Sequence, residues 1–340
     1  MITNELNIIP ADSFWLISLI IAFLVSVSMM PLIIKLNKWL NCFDAPDQRK
    51  IHKSKTATMG GLGIFLSLLF TYFILGKFYL PFYFWFSLAV LVITGVLDDI
   101  YGLRWYVKLF FQATASLIFI IMGFNYSVLF EQAGLDFIPV LLQPVLLTLF
   151  IILYINAFNL IDGLDGLAGG IATINFSVFG MLNYHFGNFP LAWMCIILTG
   201  ALIGFLIFNS HPAKIFMGDT GSLSLGFLLI VVSFNTFQYH FHIEELGMYE
   251  KKMFIWVLGG ILLLPFMDAV RVFFTRLKNK KAPYLPGKDH IHHLLLKSGL
   301  GQRQVVVILY GINVLFVLTG LIIYLNKPIS VIISVLLLKM

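Results

Sequence analysis

Long apolar runs alternate with short polar corners along nearly the whole chain. The runs fall at roughly 13–34, 59–76, 80–97, 106–123, 139–158, 167–184, 191–208, 222–239, 252–270 and 305–325. Each approaches the ~20 residues a helix needs to cross the hydrocarbon core of a bilayer. A further run follows Pro328 and, at about 12 residues, is marginal for a span. The pattern predicts an all-α polytopic membrane protein with about 10–11 transmembrane helices. Neither an internal repeat nor a Pro/Gly/Ser-rich linker divides the sequence, so residues 1–340 read as a single integral-membrane domain with its motif-bearing core at about 14–325.

Composition agrees with the pattern: 60% of residues are hydrophobic and 11% charged, and the mean hydropathy is +0.95. Such values exclude an ordinary soluble domain. A net charge of +6 would suit a nucleic-acid partner, but in a lipid bilayer the distribution of Lys and Arg carries more information than their sum, and no nucleic-acid partner is expected. One set of alternate corners holds Lys35, Lys38, Arg49, Lys50, Lys53, Lys55, Arg104, Lys108, Lys214 and the basic stretch from Arg271 to Arg303, while the other holds Lys77, Lys251, Lys252 and Lys327. The positive-inside rule puts the richer set in the cytoplasm and the N-terminus in the periplasm. No Lys or Arg precedes the first run, so that span is expected to be retained. The two cysteines, Cys42 and Cys195, give no disulfide framework.

The acids then sort to one side. Asp98, Asp99, Asp162, Asp165, Asp219, Asp268 and Asp289 all fall at or near the cytoplasmic ends of different spans, although only Lys and Arg set the topology. Charged groups near hydrocarbon are expensive and tend to mark function. Solvation of helix ends explains any one of them, but not five polar corners built from Asp, Asn, Gly, Lys and His.

Each corner has its own chemistry. GVLDDIYGLRWYVKLFFQ (95–112) places adjacent carboxylates Asp98 and Asp99 at a span's exit and Lys108 at the start of the next; with a compensating cation the pair suits magnesium or proton handling, and a capping or solvation role at the helix end suits it equally. NAFNLIDGLDGLAGG (156–170) spaces Asn156, Asn159, Asp162 and Asp165 at intervals of three among glycines, an oxygen-rich set suited to a hard cation. FNSHPAKIFMGDTGSLSLGF (208–227) brings Lys214 and then Asp219 at the opening of a span, where backbone N–H groups and the Thr220 and Ser222 hydroxyls are placed to receive phosphate oxygens, although an N-cap alone explains an Asp or Thr there. DAPDQRKIHKSKTATMGGLG (44–63), with Lys53 and Thr58, reads as an anion-binding approach. KAPYLPGKDHIHHLL (281–295) carries His290, His292 and His293, which suit phosphate contact or acid–base work better than zinc, since no Cys or HExxH spacing accompanies them.

In this order and on one side of the membrane, HKSKTATMGG, LDDIYGLRWYVKLFFQ, NAFNLIDGLDGLAGG, PAKIFMGDTGS and DHIHH resemble the motifs of the polyprenyl-phosphate N-acetylhexosamine-1-phosphate transferases, a group within glycosyltransferase family 4. The resemblance implies a site on the cytoplasmic face of the bacterial inner membrane, a UDP-HexNAc donor, undecaprenyl phosphate as acceptor, release of UMP, and magnesium as cofactor with manganese as a substitute. It makes Asp219 the main magnesium ligand and Asn159 a second. Asp98 acts on the lipid phosphate and Asp99 supports it. Asp162 organises the nucleotide site, and His290, His292 and His293 meet the diphosphate. Lys53, Thr58, Lys108, Asn156, Asp165 and Lys214 are the expected substrate-binding residues. A homodimer is the candidate assembly.

DHIHH is the form of the GlcNAc branch, which starts a surface polysaccharide such as O-antigen, whereas the peptidoglycan branch has three consecutive histidines. A phospho-MurNAc-pentapeptide translocase or a transferase for another UDP-HexNAc is the alternative. In the first motif Ala57 stands where the family usually has Pro, which predicts a less rigid loop around Lys53 and Thr58. From a different class, a cation-coupled transporter would also carry Asp and Asn on broken helices, but with repeat symmetry and a site near the midplane.

Overall fold

The computed structural model describes residues 11–40, 43–44, 56–76, 79–243, 246–280, 287 and 289–326. In chain order the elements are α1 (Ala11–Leu40), β1 (Phe43–Asp44), β2 (Thr56–Ala57), α2 (Gly60–Leu75), α3 (Phe82–Tyr101), α4 (Trp105–Gly123), α5 (Tyr126–Gln132), α6 (Gln143–Ile161), α7 (Leu167–His185), α8 (Phe189–Asn209), α9 (Gly218–Phe241), α10 (Met248–Lys278), α11 (Ile291–Lys297) and α12 (Gln302–Leu325). Every one of the ten long apolar runs is a helix. Eight are long and apolar enough to span a membrane; α2 is apolar but has 16 residues, and α7 mixes Asn175 and Asn183 into its apolar sequence. The marginal run after Pro328 lies outside the described residues.

Helix α9 is the axis of the bundle. Of its most apolar window, 94% is buried, against 28% for α1, α4 and α12, and α2, α3, α6, α7 and α10 pack around it. The outer helices turn residues such as Leu16, Ile20 and Leu24 outward, as a lipid-facing surface requires. The close approach rests on small residues. A Cβ on Gly61 of α2 would collide with the backbone of Gly221, and one on Gly95 of α3 with the backbone of Thr220. Two neighbouring helices therefore clamp the first turn of α9 at backbone contact.

The first polar corner is not plain loop. β1 pairs with β2 antiparallel, Phe43 opposite Ala57, and Ala57 also bridges to Ile215, with Phe216 N donating to Ala57 O at 2.7 Å. The N–H groups of Gly60 and Gly61, orphaned at the start of α2, donate to Phe216 O and Met217 O at 2.9 and 2.8 Å. Segments 56–61 and 215–217 are thus laced together immediately before α9 begins.

Candidate functional site

Four helix ends meet at one rim of the bundle. α3 ends in the left-handed Gly102, whose N–H closes on Asp98 O at 2.7 Å, and Leu103 N donates to Asp98 Oδ1 at 2.7 Å. The chain turns back into α4, and the first turn of α4 carries Lys108. Its Nζ lies 3.2 Å from Asp98 Oδ2 and 2.8 Å from Asp219 Oδ2, on the first turn of α9. From the end of α6, Asn159 Nδ2 donates to Asp219 Oδ1 at 3.1 Å and to Ser222 Oγ at 2.7 Å. Asp98, Lys108, Asn159 and Asp219, from four helices, thus form one cluster. Its carboxylates keep some access to solvent, with side-chain exposures of 13% for Asp98 and 23% for Asp219.

The neighbouring Asp99 does something different. Successive residues on a helix point about 100° apart, and the Asp99 carboxylate turns under α9. Oδ1 accepts Asp219 N at 2.8 Å, and Oδ2 accepts Thr220 N at 3.1 Å and Thr220 Oγ1 at 2.6 Å. This is an N-terminal cap supplied by another helix, a negative charge at the positive end of the α9 dipole. Gly218, at φ 71°, allows it, because a Cβ there would sit 2.5 Å from Asp99 Oδ2. The expectation that these N–H groups and hydroxyls receive phosphate is corrected by the same contacts. The N–H groups of Asp219 and Thr220 are spent on Asp99, Thr220 is fully buried, and the Ser222 hydroxyl donates to Gly218 O at 3.1 Å.

Asp162 caps the end of α6, with its N–H on Asn159 O at 3.2 Å. Desolvation of its carboxyl, and after that the negative charges of Asp219, Asp99 and Asp165, push its pKa up to about 7.

The histidine segment is held from α10. Asp268 Oδ2 meets His290 Nδ1 at 2.8 Å, and Asp268 Oδ1 accepts Ile291 N at 2.9 Å and Arg271 at 2.8 Å. Arg271 also donates to Asp289 O at 2.6 Å, and Arg276 Nε to Asp289 Oδ2 at 3.1 Å. The His290 and His292 rings lie near-parallel, 5.8 Å apart, and His293 packs on His292 at 4.3 Å. His292 is 1% exposed and abuts Gly163, where no Cβ would fit. Burial, then the charges of His293 and His290, hold the His292 pKa well below the imidazole range, to about 3, so its ring is neutral near pH 7. A cavity of about 990 Å³ opens between α6, α10 and this segment. Asn156, Asn159, Arg276 and all three histidines line its polar end, and Leu153, Val270 and Phe273 its apolar wall.

Asn159 therefore joins the carboxylate cluster to the histidine cavity. Asn156 faces the same cavity and donates to Gln112 Oε1 and Ile152 O, both at 2.7 Å. Asp165 is engaged elsewhere, with His211 Nδ1 at 2.7 Å and Ala213 N at 3.1 Å. Lys214 is exposed on the corner before α9. Thr58 is fixed by Asn37, buried in α1, whose Oδ1 accepts Thr58 N at 3.2 Å and whose Nδ2 donates to Thr58 O at 2.9 Å. The restraint expected to be missing with Ala57 comes instead from Asn37 and the pairing of Ala57 itself. Lys53 lies outside the described residues.

The motifs did not mark Asn37 or Gln112, nor the hold of Asp268 on His290 and of Arg271 and Arg276 on Asp289. The available signal was a lone Asn or Gln inside an apolar span, and the cations of α10 were absorbed into topology.

As to metal, the donors gathered here are hard carboxylate and amide oxygens, the kind magnesium takes, and the Lys108 ammonium between Asp98 and Asp219 marks where positive charge is stabilised. Among the described residues, no group of three or more His, Cys, Asp or Glu is placed to hold an ion. The donors thus fit magnesium bound through one or two carboxylates plus substrate phosphates, and do not form an all-protein cage.

Fold and site together define a multi-pass membrane protein with a polar centre at one rim and an apolar wall beneath it. The model for glycosyl transferase family 4 matches residues 81–236. A probable undecaprenyl-phosphate N-acetylglucosaminyl 1-phosphate transferase of Bacillus subtilis (strain 168) is 30% identical over 331 residues, covering 90% of this chain and 85% of the relative. The undecaprenyl-phosphate alpha-N-acetylglucosaminyl 1-phosphate transferase of Escherichia coli (strain K12) is 30% identical over 81% of this chain and 74% of its own length. A decaprenyl-phosphate N-acetylglucosaminephosphotransferase of Mycobacterium tuberculosis (strain ATCC 25618 / H37Rv) is 33% identical over 78% and 71%. The chain belongs to glycosyl transferase family 4.

Proposed function

We propose that the protein transfers N-acetylglucosamine 1-phosphate from UDP-N-acetylglucosamine to undecaprenyl phosphate at the cytoplasmic face of the bacterial inner membrane, with magnesium as cofactor. The observation that carries this reading is the cluster of Asp98, Lys108, Asn159 and Asp219 beside a cavity that is polar at one end and apolar along its wall. A diphosphate needs the first, and an isoprenoid chain running into the bilayer needs the second.

In the transfer, an oxygen of the lipid phosphate attacks the sugar-bearing phosphorus of the donor. The bond from that phosphorus to the bridging oxygen breaks, and UMP leaves with the electron pair. A phosphate monoester has a second pKa of about 6, so the nucleophile is largely dianionic at neutral pH. Asp98 then orients the lipid phosphate and accepts the residual proton when one is present. Lys108, already between two carboxylates, neutralises incoming phosphoryl oxygens. Asp219 and Asn159 would hold the magnesium ion, which when bound offsets charge developing on the two phosphoryl groups. His290 and His292, set by Asp268 and Gly163, offer ring N–H and N atoms to the diphosphate from the cavity side.

A donor panel tests the reading. Purified protein in detergent receives undecaprenyl phosphate and radiolabelled UDP-GlcNAc, UDP-GalNAc or UDP-MurNAc-pentapeptide, with magnesium or a chelator. Labelled lipid and stoichiometric UMP are expected from UDP-GlcNAc with magnesium. Product from the pentapeptide donor alone, or turnover indifferent to chelation, refutes it.

A further inference from the structure

α10 runs for 31 residues with Pro265 inside it. Proline has no N–H, so the carbonyl four residues earlier, that of Ile261, loses its helical partner at a point buried in the bundle. The structure supplies that partner from outside the helix. Asn175 Nδ2, on α7, donates to Ile261 O at 2.9 Å, and Asn313 Nδ2, on α12, donates to Asn175 Oδ1 at 2.8 Å. Both asparagines are fully buried. A bare amide in such surroundings is expensive, and its presence on two neighbouring helices, converging on the one carbonyl that Pro265 orphans, needs a reason.

The reason lies further along α10. Before Pro265 the helix packs on α12, with Gly260 against Phe316 and Gly320 against Trp256. After it come Asp268, Arg271 and Arg276, the residues that hold the segment 289–291, and through it His292 against Gly163. The direction in which α10 leaves Pro265 thus decides where the histidines stand relative to Asn159. The arm from Pro265 to Lys278 is about 20 Å long at 1.5 Å per residue. A change of about 10° in its direction would carry its end some 3.5 Å, Arg276 about 3 Å and Asp268, three residues past Pro265, about 0.8 Å, shifts of the size at which phosphoryl positioning suffers.

We infer that Asn175, supported by Asn313, is an intramembrane latch that fixes α10 at Pro265 and so positions the histidine segment for transfer. Asn175 is a positioning residue; it does not line the cavity, and its hydrogen bonds run to Ile261 and Asn313. The inference deepens the proposed function in assigning the histidines a role at the diphosphate, but the latch itself is a statement about geometry and can be tested apart from activity.

The test uses Asn175→Leu, close to isosteric with Asn, in the full chain. Spin labels go on Lys278→Cys at the end of α10 and Tyr101→Cys at the end of α3, both exposed, with Cys42→Ser to leave the buried Cys195 as the remaining native thiol. The expected result is a label-to-label distance distribution that shifts or broadens by about 3 Å. Turnover should fall about tenfold or more while donor KM changes far less. Asn313→Leu, which removes the support and leaves the direct bond, should act in the same direction and more weakly; it also decides the matter if Asn175→Leu fails to fold. An unchanged distance distribution overturns the latch whatever the activity does. A shifted distribution with full turnover overturns its link to the reaction. Absence of transfer by the unmodified protein would sink the proposed function while the distance measurement still decides the latch.

Discussion

Removing the Asp99 carboxylate should blunt the reaction without Asp99 touching a substrate. In Asp99→Ala three donors lose their acceptor: Asp219 N, Thr220 N and Thr220 Oγ1, now held at 2.8, 3.1 and 2.6 Å. A lost helix cap costs about 0.5–2 kcal/mol, and a buried donor left unpaired about 1–3 kcal/mol. Water reaching the vacated volume offsets part of this, so about 2–4 kcal/mol is expected in total. That is within the stability of a folded domain, and the backbone clamps at Gly61 and Gly95 keep α9 seated. What changes is the aim of Asp219, one residue into a turn that has lost its anchor. Misplacement by about 1 Å at a phosphoryl-transfer centre can cost 10²-fold in rate, so Asp99→Ala should lose about that much turnover, less than Asp219→Ala. The assay pairs labelled-lipid formation with the thermal midpoint in the same detergent. An unchanged midpoint together with a rate loss equal to that of Asp219→Ala would mean that Asp99 is no anchor but a participant in the chemistry. A lowered midpoint with normal turnover would show that the start of α9 needs no such anchor.

Replacing Lys108 by Met leaves Asp98 and Asp219 facing each other without a counter-charge, so turnover and midpoint should both drop, and added magnesium should raise the midpoint of the variant more than that of the parent. Equal magnesium shifts would count against a shared cation position. His292 has a folded pKa depressed to about 3 from 6.5; the stability this neutral ring contributes is therefore complete above pH 6.5 and lost as pH falls toward 3. By pH 5.5 the loss amounts to about 1.4 kcal/mol, so acidification from pH 7.5 should lower the midpoint of the parent protein more than that of His292→Gln, and parallel slopes would contradict the assignment. Asn37→Leu frees Thr58 from its hydrogen bonds and should raise donor KM by about fivefold to tenfold, while a KM equal to the parent's would remove Asn37 from the site.

The apolar runs alone determined that this is a helical membrane protein and where its ten long helices lie. Lipid offers a backbone no hydrogen bonds, so a sufficiently long apolar stretch has little choice but to close its own ladder. The acids at one rim were legible for a related reason: charge is tolerated at span ends and avoided between them, so position along the chain translates into depth. The partnership of side chains did not follow from either rule. Asp98 and Asp99 are adjacent letters, yet helical rotation sends one to Lys108 and the other beneath α9. Asp219 is 111 positions from the lysine that pairs with it, and at Thr220, where the letters allowed either a phosphate ligand or a cap, the cap is made with a carboxylate of another helix. The DHIHH letters gave no sign that Asp268 and two arginines of α10 grip them, or that Gly163 must lack a side chain for His292 to fit. Such pairings depend on which helices touch and at what rotation, and helix–helix packing is decided by the whole set of small residues and buried amides at once. Local sequence determines the helices; only their packing decides what each carboxylate is for.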